Sequence, residues 1–369
     1  MSLVDPDFWR GRRVLLTGHT GFKGSWLTLW LLELGADVYG LALAPEEVDP
    51  PAHPLFTSLA LAERLGERHR IGDLRDSDVV ADVVAITQPE VVLHLAAQPL
   101  VRRSYSDPLG TWATNVQGSL HLLEALRMLR HRCNVVMVTT DKVYANQEWD
   151  WGYREVDRLG GHDPYSASKA AMELMVCSWR SSFCGSATYQ NPLLAIATAR
   201  AGNVIGGGDW AIDRIVPDAM RALFQGVEIT VRNPRATRPW QHVLEPLAGY
   251  LLLAQHLSIS PQQHSMAYNF GPEREANRSV QDLVLFLLKQ WPGSVGWRDV
   301  SDPKALHEAS FLHLVADRAR RQLNWQPLWN FETTALRTVD WYRRVYEGVS
   351  PLICCLDDLK AYGALTDEY

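Results

Sequence analysis

Short apolar runs alternate with longer stretches of helical periodicity along the chain, at least through residue 200. Arg13-Val-Leu-Leu-Thr17 is a continuous apolar run, followed by glycines and then by an apolar stretch from Phe22 to Leu34 that Gly35 closes. Val38-Tyr-Gly-Leu-Ala-Leu43 predicts a second strand, and Val91 to Leu95, Val135 to Thr139 and Ala195 to Ala199 predict three more. Helical spacing covers Leu109 to Arg130 and Ser166 to Ser182. Continuous apolar strands separated by helices imply a sheet buried on both faces, an α/β fold with a Rossmann-type doubly wound parallel sheet. After residue 200 the rhythm loosens. Gly206-Gly-Gly208 and the stretch from Asn233 to Pro239 read as loops, so a smaller, mostly C-terminal lobe is expected. The expected division is 1–190 for the sheet domain and 191–369 mainly for the smaller lobe. Segments at about 236–270 are expected to return to the sheet.

Composition narrows the function classes. The 369 residues carry 36 lysines and arginines against 42 acidic residues, a net charge of −6 with no basic run, which speaks against nucleic acid as a partner. No stretch approaches the roughly 18 uncharged apolar residues of a membrane span. The richest, Leu247 to Leu257, reads as a buried helix. Met1-Ser-Leu-Val-Asp-Pro-Asp7 lacks the basic start and apolar core of a secretory signal. The cysteines (Cys133, Cys177, Cys184, Cys354 and Cys355) form no CxxC pair and no metal-ligand spacing, as expected of reduced thiols in the cytoplasm.

Thr17-Gly-His-Thr-Gly-Phe-Lys-Gly24 sets glycines at 18, 21 and 24 between a strand and a helix. Such a turn brings backbone close to a pyrophosphate and aims a helix N-terminus at it, the mechanics of a dinucleotide site. The acidic residue that would take the adenosine ribose should follow the second strand, where Leu41-Ala-Leu-Ala-Pro45 stands with Glu46 and Glu47 beyond. No arginine there welcomes a 2′-phosphate, so NAD is favoured over NADP. Asp73 in Gly72-Asp-Leu-Arg75 lies where an adenine amino group could be met, though a solvated loop aspartate reads the same way.

Tyr165-Ser-Ala-Ser-Lys169 is a YxxxK pair whose spacing puts both side chains on one helix face. An ammonium about 4 Å from a phenolate at an effective dielectric constant near 20 is worth roughly 4 kcal/mol, or about three pK units. That predicts a tyrosine brought toward neutrality and able to deprotonate an alcohol. Upstream, Thr139-Thr-Asp-Lys-Val-Tyr144 ends a predicted strand, where side chains face the ligand crevice of a parallel sheet. Thr140 can bond a substrate hydroxyl, and Asp141 with Lys142 offers an acid/base pair.

Together these blocks resemble the extended short-chain dehydrogenase/reductase superfamily and, within it, the CDP-glucose 4,6-dehydratase family. The shared stretches are Thr17-Gly-His-Thr-Gly-Phe-Lys-Gly-Ser-Trp26, Thr140-Asp-Lys142, Tyr165-Ser-Ala-Ser-Lys169, Arg200-Ala-Gly-Asn-Val-Ile-Gly-Gly-Gly-Asp-Trp210 and Arg238-Pro-Trp-Gln-His-Val-Leu-Glu-Pro246. The glycine loop and YxxxK belong to the whole superfamily; the Thr-Asp-Lys triplet and the last two blocks are more selective. Lysine after the aspartate is informative, since dTDP-glucose dehydratases carry glutamate there.

The resemblance implies conversion of CDP-D-glucose to CDP-4-keto-6-deoxy-D-glucose and water, with NAD as a cofactor that leaves as it entered. It implies catalytic Thr140, Asp141, Lys142, Tyr165 and Lys169. The cofactor would be held by Gly18, His19, Thr20, Gly21, Phe22, Lys23, Gly24, Asp73, Leu74 and Ala96, with Tyr165 and Lys169. The substrate would meet Asn203, Arg214 and Arg238. Lys142 is expected either as the C5 base or as a charge that stabilises the enolate. The resemblance further implies a homodimer or homotetramer paired through the helices at 109–130 and 166–182, and a place in deoxysugar biosynthesis for lipopolysaccharide O-antigen. Rival readings are another nucleotide-sugar dehydratase, a 4-epimerase, or a non-catalytic NAD-sensing regulator. Asp141-Lys142 argues against epimerisation, which eliminates no water, and an intact Tyr165, Lys169, Thr140 and Asp141 against the regulator.

Overall fold

A computed structural model describes residues 4–46, 53–185, 187, 190–293, 295–302 and 312–365. Seven strands form its main sheet: β1 (Arg13–Thr17), β2 (Asp37–Ala42), β3 (His69–Ile71), β4 (Val91–His94), β5 (Cys133–Val138), β6 (Leu194–Ala201) and β7 (Ala267–Phe270). They run in the order β7-β6-β5-β4-β1-β2-β3, and every neighbouring pair is parallel. The order reverses between β1 and β4, which opens a crevice at their C-terminal ends. β4, β5 and β6 are buried along their whole length, which is why they are mostly apolar.

Five helices matter for the site: α1 (Phe22–Glu33), α2 (Ser77–Thr87), α3 (Ser119–Arg127), α4 (Pro164–Phe183) and α5 (Leu244–Ile259). α4 begins with Pro164 behind Asp163, whose side chain accepts from the Ser166 amide while Ser166 returns a bond to the Asp163 amide. Such a reciprocal cap is worth about 1 kcal/mol and fixes where the helix starts. α5 is mostly apolar and largely buried, packed on the sheet beside β5 and β6. With β7 it brings the later chain back onto the sheet.

Three details differ from the sequence expectation. β3, β7 and α2 give no clear signal in the chain. The stretch Asn233 to Pro239 is only partly a loop, because Thr237–Pro239 pairs antiparallel with Asn277–Ser279. The single helix expected from Leu109 to Arg130 is Pro108–Trp112, a π-turn over Ala113–Gly118, and then α3. The wider turn carries Asn115 inward, where its side chain donates to Ser168 Oγ at 2.9 Å and accepts from the Gln98 amide at 2.8 Å. Beyond the sheet, Ile229–Val231 pairs with Trp297–Asp299 and Val204–Ile205 with Gln241–His242. Among the described residues no helix is long and apolar enough to cross a membrane.

Candidate active site

The glycine turn is built as its spacing predicts. Gly18 has φ +75°, and a Cβ there would lie 2.7 Å from the Ala96 nitrogen; one at Gly24 would lie 2.0 Å from the Gly18 carbonyl. Gly21 caps α1 in an extended conformation with no side chain on the first amides of the helix. A glycine-lined turn ending in uncapped amides suits an anionic diphosphate, so the residues present fit a dinucleotide. Thr20 donates to the Leu43 carbonyl at 2.9 Å and closes the turn onto the end of β2. Phe22 opens α1 and is half-buried.

His19 turns away from the crevice. Its ring lies across Gly40 of β2, where a Cβ would be 2.4 Å from it, and its Nε2 is 2.7 Å from His69 Nδ1 on β3. Burial and the His69 charge hold its pKa down at about 3, so it stays neutral. Asp73 follows β3, facing the same end of the sheet as the crevice, and is engaged by Arg75 through both carboxylate oxygens. Leu74 is buried against Gly118, and the Ala96 amide donates to Thr17 Oγ at 3.3 Å. Glu46 pairs with Arg103 at 3.2 Å; Glu47 lies outside the described residues.

The structure brings Thr140, Asp141, Tyr165 and Lys169 together at the end of β5 and the start of α4, all buried. Thr140 Oγ donates to Asp141 Oδ1 at 2.9 Å and is also hydrogen-bonded to Tyr165. Burial raises the Asp141 carboxyl above its ordinary value against the opposing charges of Lys142, Arg238 and Lys23. The expected effect of Lys169 on Tyr165 is not what the structure shows. Burial pushes Tyr165 up to about 12, and what pulls it down is the Thr140 bond and the Arg214 charge. Lys169 points elsewhere, donating to the Val138 carbonyl at 3.1 Å, and burial with the nearby Lys23 brings its own pKa to about 8. Lys142 is half-buried beside this group.

Lys23, expected on the cofactor turn, reaches further than its position suggests. Its ammonium lies 6.0 Å from the Tyr250 ring, and burial with the Arg214 charge lowers its pKa to about 8 against Asp141 and Asp209. Arg214 is held by Asp209 at 2.8 Å, and Arg238 lends its charge to Asp141 while donating to the Thr237 carbonyl at 2.8 Å. Asn203 is half-buried in the turn after β6, next to Gly202, where a Cβ would lie 3.1 Å from Asp141 Oδ2. His94 is structural, bridging Thr17 Oγ and Ser119 Oγ at 2.7 and 2.9 Å. Sequence reading missed Asp209, Asn115 and Tyr250, whose hydroxyl is buried with no partner among the described residues. It also missed Glu173, buried and paired with Arg200. Asp209 stands inside a block already noted; the others carry no local signal.

Residues 15–338 match the family model described as GDP-mannose 4,6 dehydratase. The chain belongs to this family. It is 43% identical over 364 residues to the CDP-glucose 4,6-dehydratase of Salmonella typhimurium, covering 99% of both chains. It is 29% identical over 343 residues to a dTDP-glucose 4,6-dehydratase of Streptomyces antibioticus, covering 89% of this chain and 92% of that one. Among solved structures, DesIV of Streptomyces venezuelae, a dTDP-glucose 4,6-dehydratase with NAD and TYD bound, superposes with a TM-score of 0.72 at 25% identity. That match covers 92% of this chain and 99% of DesIV.

Proposed function

We propose that this chain is an NAD-dependent hydro-lyase that converts CDP-D-glucose to CDP-4-keto-6-deoxy-D-glucose and water. The observation that carries the reading is a buried carboxyl, Asp141, raised above its ordinary value and tied through Thr140 to Tyr165. An elimination needs a proton donor for the departing 6-hydroxyl next to a base for the 4-hydroxyl, and this arrangement supplies both within one hydrogen-bonded group. The 43% identity to the Salmonella enzyme over 99% of each chain supports the same reaction and the cytidine nucleotide.

NAD would be held by Gly18, Gly21 and Gly24, by the amides at Phe22 and Lys23, and by Asp73, Leu74 and Ala96. When bound it supplies the hydride acceptor for C4 and later the donor for C6, with no net redox change. Tyr165 takes the 4-hydroxyl proton, with Thr140 and the Arg214 charge favouring its anion. A 4-ketone acidifies the C5 proton; Lys142 would remove it as a base or stabilise the resulting enolate as a cation. Protonated Asp141 gives its proton to the 6-hydroxyl, which leaves as water. Lys23 places positive charge near Asp141, and Lys169 lies near Lys23. Asn203, Arg214 and Arg238 would meet the nucleotide diphosphate, the two arginines through forked donors suited to paired oxygens. The sheet domain would thus carry the cofactor and the later lobe the nucleotide.

The reading extends to a cytoplasmic homodimer or homotetramer that supplies deoxysugars for lipopolysaccharide O-antigen. Exposed Leu109, Trp112 and Leu174 on the paired helices support the association, and the five free cysteines a reducing compartment. A panel of CDP-, dTDP-, UDP- and GDP-sugars with purified chain and NAD⁺ tests the function through the base-shifted absorbance of 4-keto-6-deoxy products. Turnover of CDP-glucose alone is expected. Elimination with another nucleotide keeps the residue roles and overturns the cytidine assignment; no turnover of any sugar overturns the enzyme reading. A sedimentation mass near one chain at micromolar concentration rejects the association.

A further inference from the structure

One turn along α4 from Lys169, Glu173 is fully buried and has no part in the chemistry above. Its Oε1 accepts from Thr139 Oγ at 2.6 Å; its Oε2 accepts from Thr198 Oγ and from Arg200, each at 2.8 Å. Arg200 also donates to the Tyr144 hydroxyl at 2.8 Å and to the Glu155 carbonyl at 3.2 Å, and Tyr144 donates to Asn269 on β7 at 2.7 Å. A single carboxylate therefore knots α4 to the ends of β5 and β6, and through Arg200 to β7.

Thr139 is the last residue before the Thr140-Asp-Lys142 triplet. Its amide donates to the Ala199 carbonyl of β6 at 2.8 Å, so main chain and side chain are both anchored. Thr140, the next residue, is hydrogen-bonded to Tyr165 on the helix that also carries Glu173. Strand end and helix are thereby tied twice, once at the reacting groups and once a short way behind them. A hydroxyl on a carboxylate is a short, charge-assisted bond, stiffer than apolar packing alone. Displacing a reacting group by about 1 Å costs on the order of 100-fold in rate, so such a tie has a direct bearing on turnover.

We propose that Glu173, acting through the Thr139 hydroxyl, is the positioning residue that sets Thr140 and Asp141 against Tyr165. The inference rests on the dehydratase reading, and the experiment separates the two. Wild-type chain is assayed first; if it turns over no nucleotide sugar, the dehydratase reading fails. Thr139→Val then removes one hydroxyl and keeps the shape. Thr139→Ser keeps the hydroxyl. Thr198→Val removes the other hydroxyl from the same carboxylate at a site that does not adjoin the triplet. Thr139→Val is expected to lower kcat about 10-fold with KM and the NAD dissociation constant unchanged, because only alignment is lost. Thr139→Ser and Thr198→Val are expected within about 2-fold of wild type, as one hydrogen bond to a well-supported carboxylate is a modest loss. Should Thr139→Val not fold, Glu173→Gln gives the reading from the other partner, with the same fall in kcat at constant KM. A full kcat in folded Thr139→Val or Glu173→Gln, or an equal loss in Thr198→Val, overturns the positioning role and leaves the dehydratase reading intact.

Discussion

Two ends of one stretch of α4 treat buried charge in opposite ways. At Glu173, burial raises the carboxyl, yet Arg200, Thr139 and Thr198 outweigh it and hold it below its ordinary value. Arg200 is correspondingly held above its own. One turn earlier, Lys169 has a backbone carbonyl for a partner and another cation, Lys23, nearby, and its pKa falls to about 8. Asp141 and Tyr165 beside it are likewise moved toward their neutral forms by burial. Burial is common to both ends; the difference is whether an opposite charge and hydroxyl donors arrive with the group. The paired carboxylate stays ionised and held in place, whereas the other cluster is moved toward its neutral forms.

If that contrast is right, removing a group at the reacting end should cost rate alone, and at the other end stability as well as the alignment argued above. Asp141→Asn is the largest effect: kcat for elimination should fall about 1,000-fold, the weight of a positioned general acid, with little change in melting temperature. Exchange of the C5 proton with solvent deuterium, followed by NMR, should continue, since the amide blocks only departure of the 6-hydroxyl. Loss of that exchange would place Asp141 earlier in the reaction. Glu173→Gln should cost, beside its roughly 10-fold fall in kcat, about 3 kcal/mol of stability in urea, because it strands the buried Arg200 charge. A variant as stable as wild type would mean that Glu173 does not compensate the buried Arg200 charge.

The pH behaviour sharpens the contrast. Lys23 and Lys169 titrate at about 8 in the folded chain against 10.5 as ordinary lysines. Between those values the unfolded chain binds more protons than the folded one, so these lysines make stability rise with pH there, by up to about 1.4 kcal/mol per pH unit each. Turnover should move the other way, falling above pH 8 as positive charge in the cluster around Asp141 is lost. Melting curves of wild type and Lys169→Met from pH 7.5 to 10 should therefore diverge, wild type gaining on the variant. A constant difference would show that Lys169 keeps its proton throughout.

Much of this was legible in the chain. β1, β4, β5 and β6 are largely buried, so most of their positions are apolar and read as strands, and the glycine turn needs its Gly18 and Gly24 because backbone fills the space of a side chain. β3 was not legible: three residues, His69-Arg-Ile71, half-exposed at the sheet edge, leave no periodicity to read. Glu173 follows Lys169 by four positions, a spacing that ordinarily means a solvated pair on one helix face. Here the two side chains diverge, Lys169 to Val138 and Glu173 to β5 and β6, and only the fold reveals it. Lys23 reads as part of the cofactor turn, but its neighbours Asp209 and Arg214 come from a distant loop. The fall of Tyr165 toward neutrality was expected from an ideal helix face, which leaves out burial and the direction that Lys169 takes.

Asp73 provides a third kind of charge, and the smallest test. It is partly exposed, and its carboxylate is held below its ordinary value chiefly by the Arg75 side chain, an exposed pair of the sort that adds little to stability. Its Oδ1 also accepts from the Arg75 amide at 2.9 Å, so the group is oriented at the C-terminal end of β3 whether or not a ligand is present. If the adenine amino group is met there, Asp73→Ala removes one ligand hydrogen bond, worth about 1 kcal/mol, and the NAD dissociation constant should rise about 5-fold. Unfolding free energy should stay within about 0.5 kcal/mol of wild type, as for other exposed substitutions. Titration of intrinsic tryptophan fluorescence with NAD⁺ measures the first, and urea unfolding the second. An unchanged dissociation constant would leave Asp73 as a turn residue for Arg75 and move the adenine contact to another loop. A large loss of stability would instead show that the Asp73–Arg75 pair behaves like Glu173–Arg200, and that exposure does not divide the two kinds of charge.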